Sequence, residues 1–268
     1  MPFDSNQAWK DANASVLANR DVLLALAGVF VALPSLALAI FMPPPEPPAG
    51  ATPETTFALL GEYYTHAWPA LIGMAVLQLF GTLTMMTLFT DRSRPTVGEA
   101  MKRGLQGMLP VLGAQLLLAF GVSLFVVLGA ALGVSAAAKL LVALVLIAGV
   151  IYIFVRTSLV TPVVVVESER NPVKALIRSW QLTKGVAGRL LAFFLLLLVA
   201  AMVLYLLIAG GLGVLVSLVV SGAAETSIKD LIAAFLQAIM TVYSVAIIAA
   251  CHRQLVGPSA EAAARPFE

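Results

Sequence analysis

Six uninterrupted apolar stretches, each about twenty residues long, fix what this chain can become. They run over 22–42, 67–90, 109–130, 140–160, 190–212 and 231–251, and Arg156 is the single charged residue inside them. A helix rising about 1.5 Å per residue needs about 20 residues to cross about 30 Å of hydrocarbon. Continuous apolar runs have no period of two, so a barrel is excluded in favour of helices. The sequence predicts an all-α polytopic integral membrane protein: one six-span domain over 1–256 and a short tail over 257–268. Composition agrees. Apolar residues make up 60% and charged residues 11% of the 268, and the mean hydropathy is +0.99. A soluble domain carries about 25% charged residues and could not be covered with so few.

Basic residues set the orientation. Of the 16 lysines and arginines, 14 fall before span 1, between spans 2 and 3, at and after the end of span 4, and after span 6. Only Lys139 and Lys229 fall on the other side. The positive-inside rule then predicts a multi-pass protein of the cell (inner) membrane with both termini cytoplasmic. Ala37-Leu38-Ala39 resembles a cleavage site, but Asp4, Asp11 and Asp21 do not suit a leader and the apolar run continues past Ala39. Span 1 is therefore expected to be kept. Pro43–Pro48 reads as a stiff polyproline spacer in an external loop.

The loops on the basic side carry helical patterns of their own. Over Thr96–Leu109, Val97, Ala100, Met101, Leu105, Met108 and Leu109 share one face and Glu99, Lys102, Arg103 and Gln106 the other. Thr96 and Glu99 form a capping-box pattern. Over 172–184, Asn171 can cap, Pro172 suits the first helical position, and Gly185 marks a stop. Val173, Leu176, Ile177 and Trp180 take one face; Lys174, Arg178 and Gln181 take the other. Asp4–Leu17 is a weaker version, with Trp9, Ala12 and Val16 on one side. These segments are expected to lie in the interface, basic face toward lipid phosphate. They also align through Ala8, Ala100 and Ala175, each followed four residues later by a small residue, and each precedes two spans. The arrangement predicts three units of interfacial helix plus hairpin.

The chemistry of an enzyme is not visible. His66 and His252 are predicted on opposite sides of the membrane, Cys251 is alone, and no phosphate-cradling glycine motif occurs. Neither a cofactor, a metal site nor a nucleic-acid partner is expected. Inside the spans the polar groups are neutral: Gln78, Thr82, Thr84 and Thr87 in span 2, Gln115 and Ser123 in span 3, and Gln237, Tyr243 and Ser244 in span 6. Interhelical hydrogen bonds are their simplest use. Arg156 is expected to snorkel from the end of span 4, because Pro162 disfavours a helix running further. The alternative is a buried Arg156 marking a functional cavity.

The run Arg156, Pro162, Glu167, Ala175, Leu176, Ser179, Trp180, Leu182 and Gly185 resembles the membrane domain of glycerophosphoryl diester phosphodiesterases and related stand-alone six-span bacterial proteins of the YciC-like type. The close likeness covers about 30 residues. It implies a six-span membrane protein without the barrel domain that carries catalysis in that family. The expected function is non-catalytic: envelope organisation or lipid contact, with Lys102, Arg103, Arg156, Lys174, Arg178 and Trp180 meeting anionic headgroups or the interface. A small permease or lipid-handling transporter, with a neutral polar cavity between spans 2, 3 and 6, is the other class left open.

Overall fold

The computed structural model describes residues 3–48, 50–90, 95–131 and 136–257, with side chains except at 130, 131 and 136–138. The described residues form helices and no strands. In chain order these are α1 (Ser5–Ala18), α2 (Arg20–Phe41), α3 (Pro53–Thr90), α4 (Val97–Ala131), α5 (Ala136–Thr157), α6 (Val160–Val166), α7 (Pro172–Leu182), α8 (Ala187–Val219) and α9 (Ala223–Val256). Six segments are long and apolar enough to cross a membrane: α2, α3, α4, α5 with α6, α8 and α9. The chain is an all-α multi-pass membrane protein.

Local chemistry explains where the helices start and bend. Thr96 and Glu99 close the expected capping box, with Thr96 N donating to Glu99 Oε2 at 2.8 Å and Glu99 N to Thr96 Oγ1 at 3.3 Å. Asn171 Oδ1 accepts from Val173 N at 2.9 Å and Lys174 N at 3.2 Å, which starts α7. In α2, Pro34 has no N–H for the carbonyl four residues back, and a wider π turn over Gly28–Ala32 takes up the misfit. A second π turn, Leu206–Gly210, lies within α8, and the helix runs on to Val219. The segment after 212 therefore continues span 5 rather than leaving it.

One expected element is corrected. Residues 96–109 are not a separate in-plane helix but the first turns of α4, which passes through Pro110 without a break. A proline inside a helix orphans the carbonyl four residues earlier, here that of Gln106. Arg170 supplies the missing donor: Nη1 bonds the Gln106 carbonyl, and Nη2 bonds Gln106 Oε1 at 3.1 Å. With that carbonyl satisfied, the helix has no reason to end.

The chain forms two compact units. Unit 2 holds Asn19–Thr82 and Val199–Tyr243. Within it the Phe30 and Phe80 rings pack edge to face at 5.2 Å, and Gln78 Nε2 donates to Ser35 Oγ at 3.2 Å, an interhelical bond of the kind expected for a neutral polar group in a span. Tyr63 Oη donates to the Met42 carbonyl at 2.9 Å, and Glu225 pairs with Lys229 at 2.6 Å.

Among the described residues, unit 1 holds those up to Ala18, those within Leu83–Leu198 and those from Ser244 to Gly257. It contains all three aligned segments, and the alignment has a structural meaning. Ala8 and Ala12, Ala100 and Gly104, and Ala175 and Ser179 are all buried. Small residues four apart let one helix seat closely on another. Each segment sits on the end of a span. Gly104 lies against Thr84 of α3, Ser179 against the end of α5, and Asp4, just before α1, exchanges two hydrogen bonds with Gln254 of α9. The face expected on α1 is corrected accordingly: Ala8, Ala12 and Val16 are buried, and Trp9 is exposed. A row of small side chains permits the close approach that an indole prevents.

Candidate functional site

The break between α5 and α6 builds the most distinctive site in unit 1. Pro162 would place its ring against the carbonyl of Ser158 in a continuous helix, so α5 stops at Thr157 and α6 starts at Val160. The break exposes a donor and an acceptor that α7 then satisfies. Ser179 Oγ donates to the Arg156 carbonyl at 2.8 Å and accepts from Leu159 N at 3.2 Å. Thr183 Oγ1 donates to the Ser179 carbonyl of its own helix end at 2.9 Å and lies 3.4 Å from the Arg156 carbonyl, a second acceptor within its reach. Ser179, Thr183 and Leu159 are fully buried. One hydroxyl thus clamps both sides of the break to α7.

The clamp positions Arg156. Its side chain is only 5% exposed, so the snorkelling expectation is corrected: the helix ends early, as Pro162 implied, yet the guanidinium does not reach out. It lies instead against aromatic rings, 4.4 Å from the Trp180 centroid and 5.8 Å from that of Tyr152. The two rings meet edge to face at 5.8 Å. A cation over an indole face is stabilised by about 0.5–2 kcal/mol, and its place in the last turn of α5 adds helix-dipole attraction. Among the described residues no carboxylate pairs with it, and its Nε is buried without a hydrogen-bond partner.

Arg156 lines an open groove of about 750 Å³ between α4, α5 and α7. Leu117, Leu118, Gly121 and Val122 form the α4 wall, and Ile153, Leu176 and Ile177 add further apolar surface. Thr157, Trp180, Gln181 and Lys184 complete the lining. The groove is therefore apolar along its walls and cationic at Arg156 and Lys184.

The expected contact residues divide into two groups. Arg156 and Trp180 come together in this groove. Lys102, Arg103 and Lys174 are exposed elsewhere on unit 1. Arg178 is half-buried and already paired, its Nε 2.8 Å from Glu167 Oε2. Glu167 also receives His252 Nε2 at 3.1 Å, and His252 is 2% exposed. Glu167, placed by the positive φ of Ser168 that follows it, thus joins α7 to the end of α9. Arg253 continues that connection by donating to the Phe89 carbonyl of α3 at 2.9 Å. No local pattern in the sequence singles out Glu167, Arg170 or Arg253 for these roles. Pro110, which orphans a carbonyl, was the available signal for Arg170.

The neutral polar cavity expected between spans 2, 3 and 6 is not where the groove lies. Gln115, Ser123, Gln237 and Ser244 are exposed, and none lines it. Among the described residues no three His, Cys, Asp or Glu side chains converge as metal ligands. What the groove offers is a place for an anion attached to an apolar body. The residues of the resembling run, Arg156, Ser179 and Trp180, are the ones that build it. The chain matches no family model, no curated protein and no solved structure.

Proposed function

We propose that this protein is non-catalytic and contacts anionic lipid headgroups in the inner membrane through the basic segments of unit 1, in a role of envelope organisation or lipid contact. The observation that supports this reading is the exposed surface of α7 and its flanks. Val173, Ile177 and Trp180 present apolar surface beside the exposed cations Lys174 and Lys184. Buried Ala175 and Ser179 seat the opposite side on the protein. A helix with that division is suited to lie at the headgroup boundary, and each basic residue near an anionic surface adds about 1 kcal/mol. The likeness of 156–185 to the membrane part of that family, which is not the part that carries its catalysis, fits the same reading.

Lipids co-purified with the full-length protein test it. Mass spectrometry is expected to find anionic phospholipid enriched over the bulk membrane. A variant with Lys102, Lys174 and Arg189 all replaced by Gln should lose most of that enrichment. Salt should lower it as well, because exposed charges are screened beyond about 10 Å at 0.1 M. A lipid profile equal to the bulk, and indifferent to salt and to the substitutions, would sink the reading.

The orientation on which it depends has its own test. In a Cys251→Ala background, single cysteines at Ala51 and Ser227 are expected to react with an impermeant thiol reagent on intact cells. A cysteine at Ser168 should stay unlabelled until the cells are opened. External labelling at Ser168 would place the basic segments on the wrong side.

A further inference from the structure

We propose that the groove between α4, α5 and α7 is a discrete site for one anionic phospholipid, its phosphate held by Arg156 and Lys184 and its acyl chain lying on Leu117, Leu118 and Val122. This rests on the lipid-contact reading and deepens it from a diffuse charged surface to a stoichiometric site. Three observations carry it.

The first is the state of Arg156. A guanidinium has five donors that demand acceptors, and this one is 5% exposed with no carboxylate partner and an orphaned Nε. The aromatic contacts with Trp180 and Tyr152 stabilise the charge but accept none of its hydrogen bonds in the ring plane. The Trp180 ring supports the guanidinium at 4.4 Å, and a guanidinium is a planar fork of the geometry that phosphate oxygens match.

The second is the lining. Beyond Arg156, the groove meets Leu117, Leu118, Val122 and Ile153, which offer nothing to a hydrated ion. Gly121 removes a side chain from the α4 wall, and a Cβ built there meets nothing within 4 Å. An apolar wall with room along it selects an anion that brings its own hydrocarbon. That excludes free phosphate as the natural occupant and favours a lipid.

The third is a second cation on the same groove, contributed by the turn after α7. Lys184 lines the groove and is exposed, two residues beyond the end of α7. A buried planar donor and an exposed point charge together suit one phosphate, gripped on one side and neutralised on the other.

The experiment uses the whole protein in phosphatidylcholine nanodiscs. Trp9→Phe and Trp68→Phe leave Trp180, in the groove itself, as the only tryptophan. Phosphatidylglycerol brominated near the glycerol end of its chains is added in increasing mole fraction, with brominated phosphatidylcholine as the comparison. Trp180 quenching by the anionic lipid is expected to saturate at about tenfold lower mole fraction, the size of one charge-assisted hydrogen-bonded contact. Arg156→Gln should abolish that preference. Lys184→Gln, an exposed change that spares the fold, should weaken it about fivefold. The Lys102, Lys174 and Arg189 triple variant should keep it.

Each alternative result is decisive. Equal quenching by the two lipids overturns the site, and so does a preference that survives both Arg156→Gln and Lys184→Gln. Displacement by millimolar inorganic phosphate would assign the groove to a free anion and overturn the lipid proposal as well. If lipid enrichment on purification persists while the quenching preference is absent, the discrete site fails and the general reading stands. If the enrichment is also absent, both fail.

Discussion

Ser179→Ala is expected to destabilise the protein by about 2–4 kcal/mol, the largest effect of any single-atom deletion in unit 1. The hydroxyl answers two buried backbone groups at the α5–α6 break, the Arg156 carbonyl at 2.8 Å and the Leu159 N–H at 3.2 Å. Removing it leaves the Leu159 N–H with no partner, and a buried unsatisfied donor costs about 1–3 kcal/mol. The carbonyl is left with Thr183 Oγ1 at 3.4 Å, whose one proton must turn from the Ser179 carbonyl at 2.9 Å to reach it, so a further fraction is lost there. Water cannot repair the loss easily, because Ser179, Thr183 and Leu159 are all fully buried. Reversible unfolding in mixed micelles, followed by loss of helical circular dichroism, measures the shift. Thr183→Val alone should cost less than Ser179→Ala. The double variant should cost more than the sum of the two, since the second change removes the remaining donor to the shared carbonyl. Strict additivity would show that the hydroxyls do not share that load.

The same break shows how far the sequence could be read and where it stopped. Long apolar runs with one interior charge determine six spans, because nothing but a helix satisfies its backbone over that length in hydrocarbon. Capping residues were equally legible: Thr96 with Glu99 and Asn171 with the first N–H groups of α7 act within three residues, where the spacing alone fixes the geometry. Span ends were less so. Helix α3 begins at Pro53 rather than 67, and α8 extends to Val219, because a helix does not stop where hydrophobicity falls unless a backbone partner is lost.

Long-range satisfaction was the part that local patterns could not supply. A proline such as Pro110 ordinarily interrupts a long helix, and it does not here because Arg170, 64 residues from Gln106, takes the freed carbonyl. Arg156 looked able to reach the interface from its position four residues before the expected end of span 4. Its fate depends instead on Trp180, which approaches only because Ser179 anchors the adjacent turn of α7. The alignment of Ala8, Ala100 and Ala175 was visible as a pattern of residues. Its meaning, small residues buried in all three segments and seated on the end of a span at Gly104 and Ser179, needed the contacts themselves. The polar residues of spans 2, 3 and 6 were legible as neutral groups but not as a cavity, because a period of 3.6 does not say which faces meet.

Those small seats make Gly104 the second position of large effect. A Cβ at Gly104 would lie 2.9 Å from Thr84 Oγ1 and 3.1 Å from the Thr84 backbone N. The hydroxyl could rotate away, but the backbone nitrogen belongs to the buried part of α3 and can move only if the helix does. Gly104 is in the interior of α4, where replacing Gly with Ala gains about 1 kcal/mol of helix propensity when space allows. Here the clash opposes that gain. Gly104→Ala is therefore expected to be destabilising despite the better propensity. Gly104→Val, which adds two methyl groups at the same contact, should cost about 2–3 kcal/mol, near the upper end for overpacking. Gly98 in the first turn of the same helix has nothing within 4 Å of its would-be Cβ, so Gly98→Ala serves as the control and should be neutral or mildly stabilising. The comparison is read from the unfolding midpoints of the three variants in one detergent mixture. A Gly104→Ala protein as stable as Gly98→Ala would mean that α4 does not seat on α3 through this glycine. The packing shared by the three aligned segments would then have to be abandoned for the middle one.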